Sequence, residues 1–306
     1  MVYSLSSFYI ATRSSRLAIR QAESVRMSLL KFNPKLSIYL LPIKTQGDVL
    51  SDVDNWKSFD TKGLFVKQLE VAIGEGKALC AVHSLKDVPY VLPNNLSLAW
   101  IGHRSDPSDA FVSDDYNSLD DVPYGGKIGT SSIRRSVQLL RYRPDLNVIP
   151  IRGNILTRLS KIRDLSLDGV VLASAGLVRL GLVKYIKQRL PFSISIPAPG
   201  QGFLAIESKK EHENLDFWSY LDVGQQDAIL AHTERRLGCL LGANCNIPFA
   251  ANASYEESEI RLRARLFSPD GLYMAEFDAK ESTNKWQALA ERAFQYFKQE
   301  LCRIGM

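Results

Sequence analysis

Arginine recurs in this chain where helices are expected to begin. Arg13 and Arg16 flank Ser14 and Ser15, Arg134 and Arg135 follow Ser131 and Ser132, and Arg152 precedes Gly153 and Asn154. The serines and Asn154 suit an N-cap, where a side-chain oxygen accepts from a free backbone N–H. The arginines do not suit it. A helix N-terminus already carries about half a positive charge, and each added cation costs roughly a few tenths of a kcal/mol. A bound anion removes that cost, and free N–H groups, cap hydroxyls and guanidinium forks together make a carboxylate or phosphate site. One such arginine could be a solvated loop residue. Repetition at equivalent junctions favours a polyanionic ligand.

One acid stands out among these cations. Asp87, in HSLKDVP (83–89), follows a short strand at Cys80 to His83, and in extended chain it points away from Lys86. A lone carboxylate in cationic surroundings stabilises positive charge developing during a reaction; the alternative is a turn residue bonded to its own backbone before Pro89. Cys245, in a Gly-Ala-Asn-Cys-Asn loop, reads as an exposed thiol. Cys80 and Cys302 read as small core residues and Cys239, on a helix, as packed. There is no C-x-x-C pair, and His83, His103, His212 and His232 lack metal-ligand spacing, so no metal is expected.

The elements that must position these residues alternate between strand and helix over the first two-thirds, which predicts α/β lobes with mainly parallel strands. Strands are expected at Phe8 to Thr12, Leu36 to Ile43, Cys80 to His83, Lys127 to Gly129, Val148 to Ile151 and Val170 to Ala173. Helices are expected around Ala18 to Leu29, Lys62 to Gly74, Ser132 to Arg143, Asn154 to Arg163 and near Leu177. HRSDPSD (103–109) and PAPGQG (197–202) read as two connections, so the chain leaves a first lobe (1–103 with 200–220), builds a second (104–199) and returns, leaving a cleft. From 221 to 306 a small α+β domain is expected: a helix to about Leu241, strands at Glu259 to Phe267 and Leu272 to Ala279 joined by a Pro-Asp-Gly turn at 269–271, and a last helix burying Trp286, Leu289, Ala293, Phe297 and Leu301.

Composition narrows the class. At 306 residues, with 45% hydrophobic and 23% charged, the chain is an ordinary globular protein of two or three domains rather than a disordered one. There is no long apolar run and no leader-like start, so neither a membrane span nor secretion is expected. A net charge of +5 is too mild to imply nucleic acid, and no nucleic-acid motif accompanies it.

Taken in order, IATRSSRLA (10–18), TQGD (45–48), KGLFVKQLEVA (62–72), HSLKDVP (83–89), GTSSIRR (129–135), RGNILTRL (152–159), AGLVRLGL (175–182), PAPGQGFLAIE (197–207) and CNIPFA (245–250) resemble the porphobilinogen deaminase (hydroxymethylbilane synthase) family over nearly the whole chain. The resemblance implies two lobes like those of periplasmic binding proteins plus a small third domain. It also implies a dipyrromethane cofactor held by a thioether on the cysteine matching Cys245. Four porphobilinogen units are added to that primer with loss of ammonia, and water releases the linear tetrapyrrole. Asp87 matches the catalytic aspartate. Lys86, Thr130, Ser131, Ser132, Arg134, Arg135 and Arg152 match cofactor contacts, and Arg13, Ser15, Lys62, Arg158 and Arg179 match substrate contacts. A cytoplasmic monomer without nucleic-acid or membrane partners is implied.

Two segments depart from the family pattern. Leu241-Gly242-Ala243-Asn244 stands where Leu-Glu-Gly-Gly is usual, and the stretch from Thr45 to Lys62 is one residue longer, with Asp60-Thr61 in place of Gly-Gly. These changes leave an impaired tetrapyrrole- or carboxylate-binding paralogue as the alternative.

Overall fold

Alternation of side chains across a strand builds the first sheet. In β1 (Ser7–Arg13), Phe8 and Ile10 pack with Ala22, Val25 and Leu29 of α1 (Arg16–Phe32), while Ala11 packs on the other face with Leu69 and Ile73 of α2 (Lys67–Gly74). The computed structural model describes residues 6–45, 66–221, 225–243, 247–268 and 270–303. Contacts divide the chain into two units, Met1–Arg104 with Phe203–Ala228, and Ser105–Gly202 with Ile229–Met306.

The first unit holds a five-stranded sheet ordered β2 (Ser37–Ile43), β1, β3 (Cys80–Ser84), β10 (Leu204–Lys209), β4 (Leu96–Ile101). β2, β1 and β3 pair in parallel, whereas β10 is antiparallel to both its neighbours. The second unit repeats this plan with β7 (Asn147–Ile149), β6 (Lys127–Gly129), β8 (Gly169–Ala173), β5 (Asp109–Val112), β9 (Ile186–Arg189), in which β5 is the reversed strand. The reversed strands are the ones next to the two crossings. β5 begins where the sequence suggested a connection, and β10 follows the return. Four of the five strands in each sheet therefore run one way, as the alternating pattern predicts.

The second unit also contains α3 (Ile133–Tyr142), α4 (Ile155–Asp164), α5 (Ser174–Arg179) and an antiparallel meander of β11 (Phe249–Glu256), β12 (Glu259–Phe267) and β13 (Met274–Ser282). α6 (Gln225–Leu240) precedes the meander and α7 (Trp286–Arg303) follows it. Three expectations need correction here. The second hairpin strand starts at Met274 rather than Leu272, which is 82% exposed, because the Asp270 carboxylate accepts from Ser268 Oγ and Leu272 N and prolongs the turn. In α7 the buried positions are Leu289, Ala290, Ala293 and Phe297, with Trp286 and Leu301 only half-buried. The helix expected from Lys62 begins at Lys67 among the described residues, and Lys62 itself lies outside them.

The second unit is organised around one carboxylate. Asp109, the first residue of β5, is wholly buried. It accepts from Arg134 Nη1 (2.9 Å) and Nη2 (3.2 Å), Arg135 Nε (2.9 Å) and Nη2 (2.7 Å), Ser195 Oγ (2.8 Å) and Gln201 Nε2 (3.0 Å). Burial alone would raise its pKa, but the two guanidinium charges and their hydrogen bonds outweigh that and hold it far below the usual carboxylate range. Asp109→Asn should cost about 3–5 kcal/mol in urea unfolding, since it strips two buried cations of the carboxylate that pairs with both among the described residues. The depressed pKa also sets the pH window: the stabilisation is complete above the unfolded carboxyl pKa of about 3.9 and fades as pH falls towards the folded value. The gap between wild type and Asp109→Asn should therefore hold steady down to about pH 4 and narrow only below it. A gap that closes between neutral pH and pH 5 would contradict this.

Candidate functional site

In the first unit, β1 ends at Arg13 and Ser15 caps α1, its Oγ accepting from Ala18 N at 3.3 Å; no acid occupies the first turn of that helix. β3 ends at Ser84 and runs into a single 3₁₀ turn, Leu85–Asp87, closed by Val88 N donating to Leu85 O. Lys86 and Asp87 therefore do not point to opposite sides as extended chain would have it, because a 3₁₀ turn rotates successive residues by about 120°. Leu85 is buried and anchors the turn, its N–H donating to Phe203 O. Asp87 is exposed, and among the described residues no donor or cation engages its carboxylate, so the backbone-bonded turn residue is not what the structure contains. Arg13, Ser15 and Asp87 line one pocket with Gln21, His83 and Ser84.

Three of those lining residues were missed in the sequence. Gln21 Nε2 donates to Ser84 Oγ at 2.9 Å, tying α1 to the end of β3. His83 and Ser84 open the HSLKDVP motif, but an apolar-strand reading assigns them only to the strand end. Lys86 is half-buried and does not line the pocket.

In the second unit, the residues after β6 make a fixed turn. Thr130 is buried, its N–H donating to Ile149 O and its Oγ1 accepting from Ser132 N. Ser132 caps α3, accepting from Arg135 N, and the exposed Ser131 donates to Ile151 O at 2.7 Å. That bond ties the turn to the segment carrying Arg152, which is half-buried. Asn154 caps α4 as expected, accepting from Thr157 N. Gly153 before it has φ of 101°, and a Cβ there would lie 2.6 Å from Thr157 Cγ2, so only glycine fits the turn. Arg158 Nε donates to Gly153 O at 2.8 Å.

The two motif arginines sit differently from the rest. Arg134 and Arg135 are 7% and 6% exposed, with their forks closed on Asp109. The anion that relieves the cationic start of α3 is therefore part of the chain. With two guanidiniums on one carboxylate, the cluster still keeps a single net positive charge. Arg179, at the end of α5, is half-buried and donates to Gly202 O. Among the described residues no carboxylate pairs with it, and burial pushes its pKa down to about 10.

Of the cysteines, Cys80 is wholly buried and burial pushes its thiol far up, so it cannot supply a thiolate. Cys239 and Cys302 are exposed, against the packed positions expected for them. Cys302 lies five residues beyond Phe297, about 140° around the helix from its buried face. Cys245 lies outside the described residues. A wider groove of about 720 Å³, between Leu240, Phe277 and the outer side of α7, carries none of the expected site residues.

Residues 8–216 match the family model described as porphobilinogen deaminase, dipyromethane cofactor binding domain, and residues 228–295 match that of the porphobilinogen deaminase C-terminal domain. A porphobilinogen deaminase of Thiobacillus denitrificans is 43% identical over 287 residues, covering 92% of this chain and 94% of the relative. One of Legionella pneumophila is 43% identical over 284 residues, covering 92% of each. Among solved structures, the periplasmic aliphatic sulphonate binding protein SsuA from Escherichia coli aligns over 78% of this chain and 71% of its own, at 11% identity and a TM-score of 0.41. The pocket around Asp87 and the arginine junctions of the second unit both fall within the first matched region, and the chain belongs to the porphobilinogen deaminase family.

Proposed function

We propose that this chain condenses four porphobilinogen units into the linear tetrapyrrole hydroxymethylbilane with release of ammonia, using Asp87 as its reacting carboxylate and Cys245 to hold a dipyrromethane primer through a thioether. The observation that carries the site is Asp87 itself: a carboxylate without a partner among the described residues, at a pocket whose other charged wall is Arg13. Loss of ammonia leaves the substrate's methylene carbon cationic, and a fixed carboxylate lowers the energy of that charge more than water can.

The residues present fit a cofactor of several carboxylates. For the substrate, Arg179 is a partly desolvated cation that pairs with no carboxylate among the described residues; for the cofactor, the Arg134–Arg135–Asp109 cluster keeps one net positive charge. Arg152 and Arg158 flank a capped helix start without an acid in its first turn. Lys86, Thr130, Ser131 and Ser132 are assigned to the cofactor with Arg134, Arg135 and Arg152, and Arg13, Ser15, Lys62, Arg158 and Arg179 to the acetate and propionate groups of incoming substrate. When bound, the dipyrromethane supplies the carbon nucleophile to which rings are added. Cys245 is the attachment point because the register of CNIPFA favours it and the burial of Cys80 excludes that thiol.

The reading extends to a cytoplasmic monomer that takes a small-molecule substrate and no nucleic acid, with 221–306 as a separate domain. In its support, no helix among the described residues is long and apolar enough to cross a membrane, and β11 to β13 form a sheet of their own.

Asp87→Asn should keep the fold and the loaded cofactor while slowing ring addition by about 10²–10³-fold in single-turnover kinetics. Turnover equal to wild type would remove Asp87 from the reaction. Arg179→Gln should weaken substrate binding by about ten- to a hundredfold, the worth of one charge-assisted hydrogen bond, with Arg179→Lys restoring part of it. An unchanged KM in Arg179→Gln would count against its role.

A further inference from the structure

Behind Asp87 lies a buried pair that the proposed reaction does not use. His83 on β3 is 5% exposed and lines the same pocket as Asp87 and Arg13. Glu207 on β10 is wholly buried, with its Oε2 3.0 Å from His83 Nε2. In the antiparallel pairing His83 stands opposite Ala205 and Glu207 opposite Ala81, so the two side chains are diagonal neighbours on one face. The approach is close but misaligned: neither Glu207 oxygen nor His83 Nε2 has a well-directed hydrogen bond. A carboxylate buried in this way is costly to keep charged unless a cation stands beside it. Among the described residues, the titratable group within ion-pair distance of Glu207 is the imidazole.

The surroundings carry both signs of charge, Glu70 and Asp87 against Lys67 and Arg13. Glu70 on α2 feels both groups, and its pKa is raised first by its own burial and then by Glu207, with His83 and Lys67 opposing. Arg13 comes from β1 and Asp87 from the turn after β3, while α1 lines the pocket with the uncharged Leu17, Ala18 and Gln21. One proton held between His83 and Glu207 therefore decides whether the floor of the pocket is neutral overall or carries one more negative charge.

We propose that His83 and Glu207 form a positioning pair for the reaction, holding one shared proton beneath the pocket so that Asp87 and the incoming carboxylates meet a floor that is not net negative. The proposal rests on the reading of Asp87 as the reacting carboxylate. No bond is made or broken by the pair, which binds the proton from solvent and returns it there. With the proton gone, the substrate's carboxylates face an additional buried charge, so the effect falls on KM more than on kcat.

The test uses the cofactor-loaded enzyme at one fixed pH near neutrality and reads kcat and KM. His83→Gln leaves the Glu207 carboxylate buried without its cationic neighbour and should raise KM by about tenfold with kcat little changed. Adding Glu207→Gln removes that charge and should bring KM back towards wild type. Glu207→Gln alone keeps the pair neutral and should leave KM within about twofold of wild type. An unchanged KM in His83→Gln, a double variant as impaired as His83→Gln, or a tenfold rise of KM in Glu207→Gln alone would overturn the pair. If His83→Gln does not fold, the Glu207→Gln criterion still decides. The Asp87 reading fails separately, through an active Asp87→Asn, which leaves the His83→Gln and Glu207→Gln comparison untouched.

Discussion

Two guanidiniums sharing one buried carboxylate are the constraint on which the second unit depends. Asp109 starts β5, Arg134 and Arg135 start α3, and Ser195 and Gln201 come from the segment that returns to the first unit, so four residues distant in sequence from Asp109 converge on its two oxygens. Neither cations nor anion could be buried singly at tolerable cost. The network then spreads. Arg134 Nη1 also donates to Ile196 O, Gln138 pairs with Ile196 through both N–H and C=O, and Arg265 from β12 donates to Gln138 Oε1 and Ser193 O. The meander thus reaches the same cluster that fixes the turn from Thr130 to Ser132. What remains is one net positive charge close to the Thr130–Ser132 turn, whose Ser131 is exposed.

A second buried acid does similar work on the returning segment. Glu234 of α6 is wholly buried, with one oxygen accepting from Gly200 N at 2.7 Å and the other from Ala253 N at 2.6 Å. Gly200 and Gly202 have φ of 77° and 98°, so the PAPGQG turn uses backbone that side chains resist, and Glu234 clamps it against β11. The contrast with the first unit is physical. Asp109 and Glu234 are each held by several donors, while among the described residues Asp87 has none and Glu207 meets a misaligned imidazole. The well-bonded acids hold the fold; Asp87 lines the pocket and Glu207 contacts His83 in its wall.

Much of this was legible from sequence where the signal is local. Ser15, Ser132 and Asn154 cap helices as their positions predict, because a cap is decided within four residues. The order of early strands and helices follows from alternation and from spacings of three and four. What could not be read depends on distant partners. Cationic helix starts suggested an external anion, yet at α3 the partner is Asp109, 25 residues before Arg134 and at the end of an apparent linker. β4, β5, β9, β10 and β11 were not anticipated: β5 and β10 lie inside their sheets and are buried without alternation, β4 and β9 are short edge strands, and β11 is buried along its first five residues. The His83–Glu207 contact needs the β3–β10 pairing, which joins segments 124 residues apart in sequence. Cysteine exposure failed for a simpler reason: residue type predicts burial only on average, and Cys302 lies on the wrong side of α7.

The proposed reaction requires a primer carried covalently by the chain itself, and the intact mass of the denatured protein tests this most directly, with Cys245→Ser as the control. Protein isolated from cells that make porphobilinogen should carry a covalent addition of two porphobilinogen-derived rings, absent from Cys245→Ser. An unmodified wild-type chain, or an adduct that survives in Cys245→Ser, would contradict it.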